Sequence, residues 1–542
     1  MDSERSTRSQ PRASLDDGSE AEGVTRRDFL SASGKFSGAL AAGVLLEGAA
    51  GGPIPASAPA SNPPTEIVRM SAAELSHAIR TKRVSCRDVM AAYLAHIDRL
   101  NPRVNAIVSI QNHDALMKQA IERDAQFGRG EYLGWMHGFP HAVKDLVLVK
   151  GIRTTFGSPL ADSVPTHDDI LVERLRRAGV IIIGKTNAPE FGLGSQTYNT
   201  IFGATRNAYD QSKCAGGSSG GAAVGLALRM LPVADGSDMM GSLRNPAAFN
   251  NVIGFRPSFG RVPSGPDNEV FASQLAVDGP LARSVGDVAL LLSVLAGPDA
   301  RSPLTLEQDP ATFARPLERD FKGTRLAWLG DFGRALPMEP GVMGLCQQSL
   351  QAFESFGCVV ESALPDFPLD RLWQTWLTLR HWSVGSGLAA YYNDPAKRAK
   401  LKPEAQWEVE GSLKLTAQDI HDAFVARSSW YEAIRHMFDS YDFLLLPSAQ
   451  VFPFDVDVHW PREINGVKMD TYHRWMEVVI PATLAGCPAI NVPVGFNSAG
   501  LPMGMQIIGK NHQDFAVLQI AHAYEQARPW VRDHLPTLFQ AG

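Results

Sequence analysis

Between residue 66 and about residue 300, short apolar runs alternate with segments of helical periodicity. That alternation limits the fold more than any other feature of the chain. Residues 142–149 and 180–183 read as strands, an amphipathic helix spans about 168–178, and Gly179 is placed to end it. Further strands are predicted at 231–235, 324–329 and 502–508, with helices at 285–296 and 513–527. Ser71-Ala-Ala-Glu74 and Ser85-Cys-Arg-Asp88 each precede an apolar-periodic run and read as capped helix starts. Strands alternating with helices predict an α/β fold: one large domain over 66–542, its central twisted sheet mixed or largely parallel and covered by helices on both faces. Residues 365–430, richer in Trp, Tyr, Lys and His, depart from this pattern and are expected to form an irregular helical insertion over a pocket.

With 542 residues, 44% of them hydrophobic and 20% charged, the chain has ample material for a buried core. A net charge of −6 without blocks of one sign offers no basic surface, so no nucleic-acid partner is expected. The first sixty residues differ in kind. A polar stretch leads to Thr25-Arg26-Arg27-Asp28-Phe29-Leu30, then to small and apolar residues over 36–46, then to Ala56-Ser57-Ala58. This is the layout of a twin-arginine export signal. The apolar run is shorter than the ~20 residues that span a bilayer, so no permanent membrane anchor is expected. Residues 1–60 are therefore read as signal and linker, the twin-arginine export machinery as a partner, and the periplasm or medium as the destination, with cleavage near Ala58. The cysteines Cys86, Cys214, Cys346, Cys358 and Cys487 are widely spaced and form no CxxC pair, which speaks against a disulfide framework or a zinc site.

Three segments carry reactive side chains. Ala215-Gly216-Gly217-Ser218-Ser219-Gly220-Gly221 has the composition of a linker, yet it runs directly into a helix-forming stretch, as a loop that lets a substrate approach the backbone would. Gly236-Ser237-Asp238-Met239-Met240-Gly241-Ser242-Leu243-Arg244 follows a strand-like run and presents another serine. Lys144 sits in the apolar segment 139–149, where burial either pairs the amine, with Asp145 or at a strand end, or removes its charge and makes it a base near neutral pH. Fourteen histidines are present, but no Gly-x-Ser-x-Gly elbow and no metal-binding spacing accompany them.

Together with Gly138-Phe-Pro-His-Ala-Val-Lys144-Asp145, Gly184-Lys-Thr-Asn-Ala-Pro-Glu-Phe-Gly192 and Leu501-Pro-Met-Gly-Met-Gln506, these segments resemble the amidase signature family over about residues 66–530. The order and separations match too, with 74 residues from Lys144 to Ser218 and 24 from Ser218 to Ser242. The resemblance implies an amidase, a hydrolase of carbon–nitrogen bonds other than peptide bonds, acting on linear or cyclic amides without a metal or other cofactor. It implies Ser242 as nucleophile, Ser218 in a cis peptide as relay and Lys144 as base. Backbone N–H groups of Met239, Met240, Gly241 and Ser242 would form the oxyanion hole. Ser219 is expected to support the site by hydrogen bonding, Asp238 and Arg244 to brace the loop as an ion pair, and Lys185 and Glu190 to brace the chain beside it.

The chain departs from the family where Met239-Met240 stands in place of a small polar residue and glycine. Either Met240 is strained at positive φ and the hole displaced, or φ is ordinary and two thioethers make the acyl pocket more apolar. Ala208 and Ala215 replace prolines common in the family. The expected function is exported hydrolysis of a small-molecule amide through an acyl-enzyme. The alternatives are a catalytically altered member with a binding role and an amidotransferase-type subunit. Trp373, Trp376, Trp382 and Tyr391 belong either to an apolar substrate pocket or to the core.

Overall fold

The computed structural model describes residues 64–265 and 269–540. The expected signal and linker at 1–60 lie outside the described residues. Both capped helix starts form: Ser71 Oγ accepts from Glu74 N–H while the Glu74 carboxylate reaches back, and Ser85 and Asp88 repeat the exchange. The helices they open, Ala72–Arg80 and Cys86–Val104, bury Leu75, Ile79, Val89 and Ile97.

Three strands form a small sheet: β1 (Ile107–Val108), β2 (Pro140–Lys144) and β3 (Ile181–Thr186), in the order β1-β3-β2. Strand β2 runs parallel to β3, and the crossover between them contains the helix Ile170–Arg177, ended by Gly179 at φ 97°. The large sheet comprises β4 (Ala234–Asp238), β5 (Ile253–Arg256), β6 (Val277–Ala282), β7 (Arg325–Trp328), β8 (Val359–Ser362), β9 (Phe443–Pro447), β12 (Ala489–Phe496) and β13 (Pro502–Gly509); a hairpin of β10 (Glu463–Ile464) and β11 (Val467–Lys468) stands apart. Its order is β4-β6-β5-β12-β13-β9-β7-β8.

The sheet is mixed, as expected, but its parallel share is small. Only β9-β7 and β7-β8 are parallel neighbours, and the remaining pairs are antiparallel. A tight reversal at Asn497–Leu501 makes antiparallel partners of β12 and β13, and longer connections bring the other antiparallel pairs together, neither of which periodicity alone reports. Helices cover the sheet. Val285–Leu295, Arg244–Phe249 and Asp514–Ala527 pack on its strands, and Gly220–Ala227 is buried along its whole length.

Two boundary differences bear on the site. The strand expected at 142–149 ends at Lys144, so the lysine stands at a strand terminus where its side chain leaves the sheet. The strand expected at 231–235 is shifted to Ala234–Asp238, which brings Ser237 onto the strand. The 365–430 region is helical, with Leu369–Arg380, a π-helical turn at His381–Gly385, and then Ser386–Tyr392, Pro403–Ser412 and Ala417–Ser440. Among the described residues, no helix is long and apolar enough to cross a membrane.

Candidate active site

Lys144 leaves the end of β2 and is fully buried. Its Nζ lies 2.8 Å from Ser218 Oγ, 2.8 Å from Ser219 Oγ and 3.0 Å from Ser237 Oγ, with the Ser237 carbonyl at 3.4 Å. Burial pulls the amine down from 10.5 to about 7, against the opposing carboxylates of Asp278, Asp235 and Asp238. A neutral amine donates two hydrogen bonds and keeps a lone pair. Three hydroxyls around it suit that state, two accepting and one donating. Asp145, the alternative ion-pair partner, turns away and accepts from the N–H and hydroxyl of Thr155.

The backbone places the serines. Gly216 takes φ 69° and the Gly217–Ser218 peptide is cis. The loop is held by Ser195 Oγ donating to the Gly217 carbonyl (2.9 Å) and Thr197 Oγ1 to the Gly216 carbonyl (2.8 Å). From there the chain enters the helix Gly220–Ala227. The Ser242 loop is joined to this one through Ser219 N–H, which donates to the Ser242 carbonyl at 3.2 Å. Ser218 and Ser242 both line a cavity of about 170 Å³ whose other walls include Leu146, Phe191, Met239, Met240 and Met476. The cavity thus meets the Lys144–Ser218 hydrogen bond at one wall and Ser242 at another.

Beneath the Ser242 loop, Arg244 and Asp238 form a buried ion pair, with Arg256 as a second cation on the same carboxylate. Burial alone would raise the Asp238 carboxyl, but Arg244 and Arg256 hold it well below the usual carboxylate range. Asp238 also accepts from the N–H groups of Gly241 (2.9 Å) and Leu243 (3.2 Å). This corrects one expectation. The Gly241 N–H is committed to Asp238, so of the four groups expected to face a substrate oxygen only those of Met239, Met240 and Ser242 remain as candidates. Met240 is absent from the residues at positive φ, whereas Gly241 takes φ 77°. The positive φ therefore falls on the glycine, which adopts it without steric cost, and both methionines line the cavity.

Ser219 is closer to the centre than expected, in direct hydrogen bond with Lys144. Lys185 donates to the Val147 carbonyl and Glu190 accepts from Lys402 N–H, so both brace neighbouring backbone. Ala208 N–H donates to Asn250 Oδ1, a bond that a proline cannot make. Trp373 and Trp376 are core residues, and Trp382 packs against Phe424; none of the three lines the cavity. Tyr391 stands behind the wall, packed against Phe191, which lines the cavity.

Three residues near the centre escaped the sequence reading. Ser237 reaches Lys144, Asp235 ties β4 to β2 by accepting from Lys144 N–H (3.1 Å) and pairing with His141 (2.8 Å), and Arg380 lines the cavity. Strand alternation across 234–238 puts Asp235 and Ser237 on one face and contains a signal for both. Arg380, 138 positions from Ser242, has none.

The family model for amidases matches residues 88–518. The chain belongs to the amidase signature family. As an amidase it is a hydrolase acting on carbon–nitrogen bonds. It is 32% identical over 468 residues to an acylamidase of Rhodococcus erythropolis, covering 85% of this chain and 96% of the relative. A glutamyl-tRNA(Gln) amidotransferase subunit from Synechococcus is 35% identical over 474 residues, with 83% and 94% covered. Among solved structures, a bacterial aryl acylamidase of the amidase signature family superposes with a TM-score of 0.79 at 27% identity, covering 87% of this amidase and 98% of that chain.

Proposed function

We propose that this amidase hydrolyses a small-molecule amide to a carboxylate and an amine or ammonia through an acyl-enzyme on Ser242, with Ser218 as relay and Lys144 as base. The observation that carries this is the buried Lys144 amine at 2.8 Å from Ser218 Oγ, on a cavity that Ser242 shares. A serine hydroxyl attacks only when a neighbour takes its proton. As Ser242 Oγ bonds to the amide carbon, its proton passes to Ser218 Oγ and the Ser218 proton to Lys144 Nζ. The carbonyl oxygen becomes an oxyanion facing the N–H groups of Met239, Met240 and Ser242. When the C–N bond breaks, the Lys144 proton returns through Ser218 to the leaving nitrogen, which would otherwise depart as an amide anion. Water then attacks the ester by the same route and frees Ser242.

The test is hydrolysis of aryl amides by the purified chain, with Ser242→Ala alongside. Turnover should fall by about 10³-fold or more, and a fluorophosphonate should label Ser242 alone. Undiminished hydrolysis by Ser242→Ala would remove that serine from its role. The relatives named as amidotransferase subunits favour a second reading, in which the domain works with a partner on charged tRNA; a stable complex of that kind would carry it. Export is the remaining part of the proposal. It rests on Arg26-Arg27 and the short apolar run after them, with the twin-arginine machinery as partner and the periplasm or medium as destination.

A further inference from the structure

Among the described residues, the cavity containing Ser218 and Ser242 has one charged wall residue, Arg380, set among Leu146, Leu193, Met239, Val384 and Met476. Arg380 closes the helix Leu369–Arg380 where it passes into the π-helical turn His381–Gly385. Its far side is anchored in the core. Nε donates to Glu408 Oε1 at 2.7 Å, Nη2 donates to Tyr472 Oη at 2.6 Å, and that hydroxyl donates to the same Glu408 oxygen at 2.6 Å. His381 Nδ1 lies 2.8 Å from the other Glu408 oxygen. Burial opposes the charges, yet the Tyr472 and Glu408 oxygens hold the guanidinium above its ordinary range, and Arg380 brings Glu408 down to about 2. The pair is ionised and, taken together, neutral.

The remaining side of the guanidinium is poorly supplied. Nη1 finds only Met239 Sδ, at 3.2 Å, and a thioether is a weak acceptor. The fork has five N–H groups, and the acceptors described account for three of them. A rigid, planar donor with N–H groups left over on an apolar cavity calls for an oxygen, and the substrate is what enters that cavity. Because Glu408 already balances the charge, a carboxylate would bring a second anion beside it without a second cation. A neutral carbonyl oxygen would not.

We propose that Arg380 is a specificity-determining residue that donates to an uncharged carbonyl-type oxygen of the substrate other than the scissile one. The amides that fit are then small and mostly apolar, with one acceptor oxygen set apart from the bond to be cut. A cavity of about 170 Å³ takes one group of roughly benzene size, which bounds the part held beside Arg380. The inference rests on the reading of Ser242 as nucleophile.

Binding to the non-turning Ser242→Ala chain tests it without catalysis. Calorimetry would compare 4-oxopentananilide with its isostere 4-methylenepentananilide, and N-(3-acetylphenyl)acetamide with N-(3-isopropenylphenyl)acetamide, placing the acceptor on the acyl side in one pair and the amine side in the other. At least one ketone should bind about tenfold or more tightly than its isostere. The preference should fall below about threefold in Arg380→Lys, which keeps the charge beside Glu408, and in Arg380→Met with Glu408→Gln, which removes the buried pair together. Equal binding within both pairs, a preference that survives both variants, or tighter binding of succinanilic acid than of the ketones would each overturn the proposal. If fluorophosphonate labelling is undiminished in Ser242→Ala while Arg380-dependent binding persists, the Ser242 reading fails and Arg380 is left as an acceptor-binding residue of the cavity without a defined scissile bond.

Discussion

Arg244 and Asp238 meet as a two-pronged ion pair, Nε to Oδ2 and Nη2 to Oδ1 both at 3.0 Å, with neither side chain reaching solvent. The pair lies under the loop that carries Ser242, and Arg244 continues to Gln506 on β13 and to the Val479 carbonyl. Removing the carboxylate would strand two buried guanidiniums, those of Arg244 and Arg256. Asp238→Ala should therefore cost about 3–5 kcal/mol, read as a lower urea midpoint. Glu432→Ala, which breaks an exposed pair with Arg435, should leave the midpoint in place.

The Lys144 amine, lowered to about 7 by burial, can serve as the base we propose only when neutral. kcat/KM should rise with pH through about 7 and level off above it, with a slope of one on the acid limb. The sign for stability is the same. Between about 7 and the ordinary 10.5, the unfolded lysine holds a proton that the folded one lacks, so Lys144 makes the native state gain stability as pH rises across that window. A rate profile flat from pH 5 to 9 would exclude Lys144 as base.

Ser237 Oγ accepts from the Lys144 amine, and a hydroxyl oxygen stabilises the charged form of its donor more than the neutral one. Ser237→Ala should move the acid limb below about 7 without changing its slope. Movement toward higher pH would contradict the assigned hydrogen bond.

Gly241 occupies φ 77°, and a Cβ there would stand 2.9 Å from Val479 Cγ2. Gly241→Ala should lower stability by about 1–3 kcal/mol and displace Ser242. Fluorophosphonate labelling should slow more than the loss of folded protein explains. Equal losses would show that only the fold had suffered.

A reporter fused to residues 1–65 should leave the cytoplasm, and Arg26→Lys with Arg27→Lys should retain it. Export of the doubly substituted fusion would defeat the twin-arginine reading.

Local signals set out much of this amidase. The serine caps at Ser71 and Ser85, the periodicity around Ile170–Arg177 and the glycine-rich approach to Ser218 are short-range patterns, because capping, helix faces and turn geometry depend on residues a few positions apart. They, with the spacing of Lys144, Ser218 and Ser242, were sufficient to point to the family. Tertiary structure decided the rest. Strand order, the commitment of the Gly241 N–H to Asp238, the burial of Trp373 and Trp376, and the arrival of Arg380 at the cavity all depend on which distant surfaces pack together. Hydrogen-bond supply and desolvation are properties of the assembled surroundings, and a one-dimensional pattern contains neither.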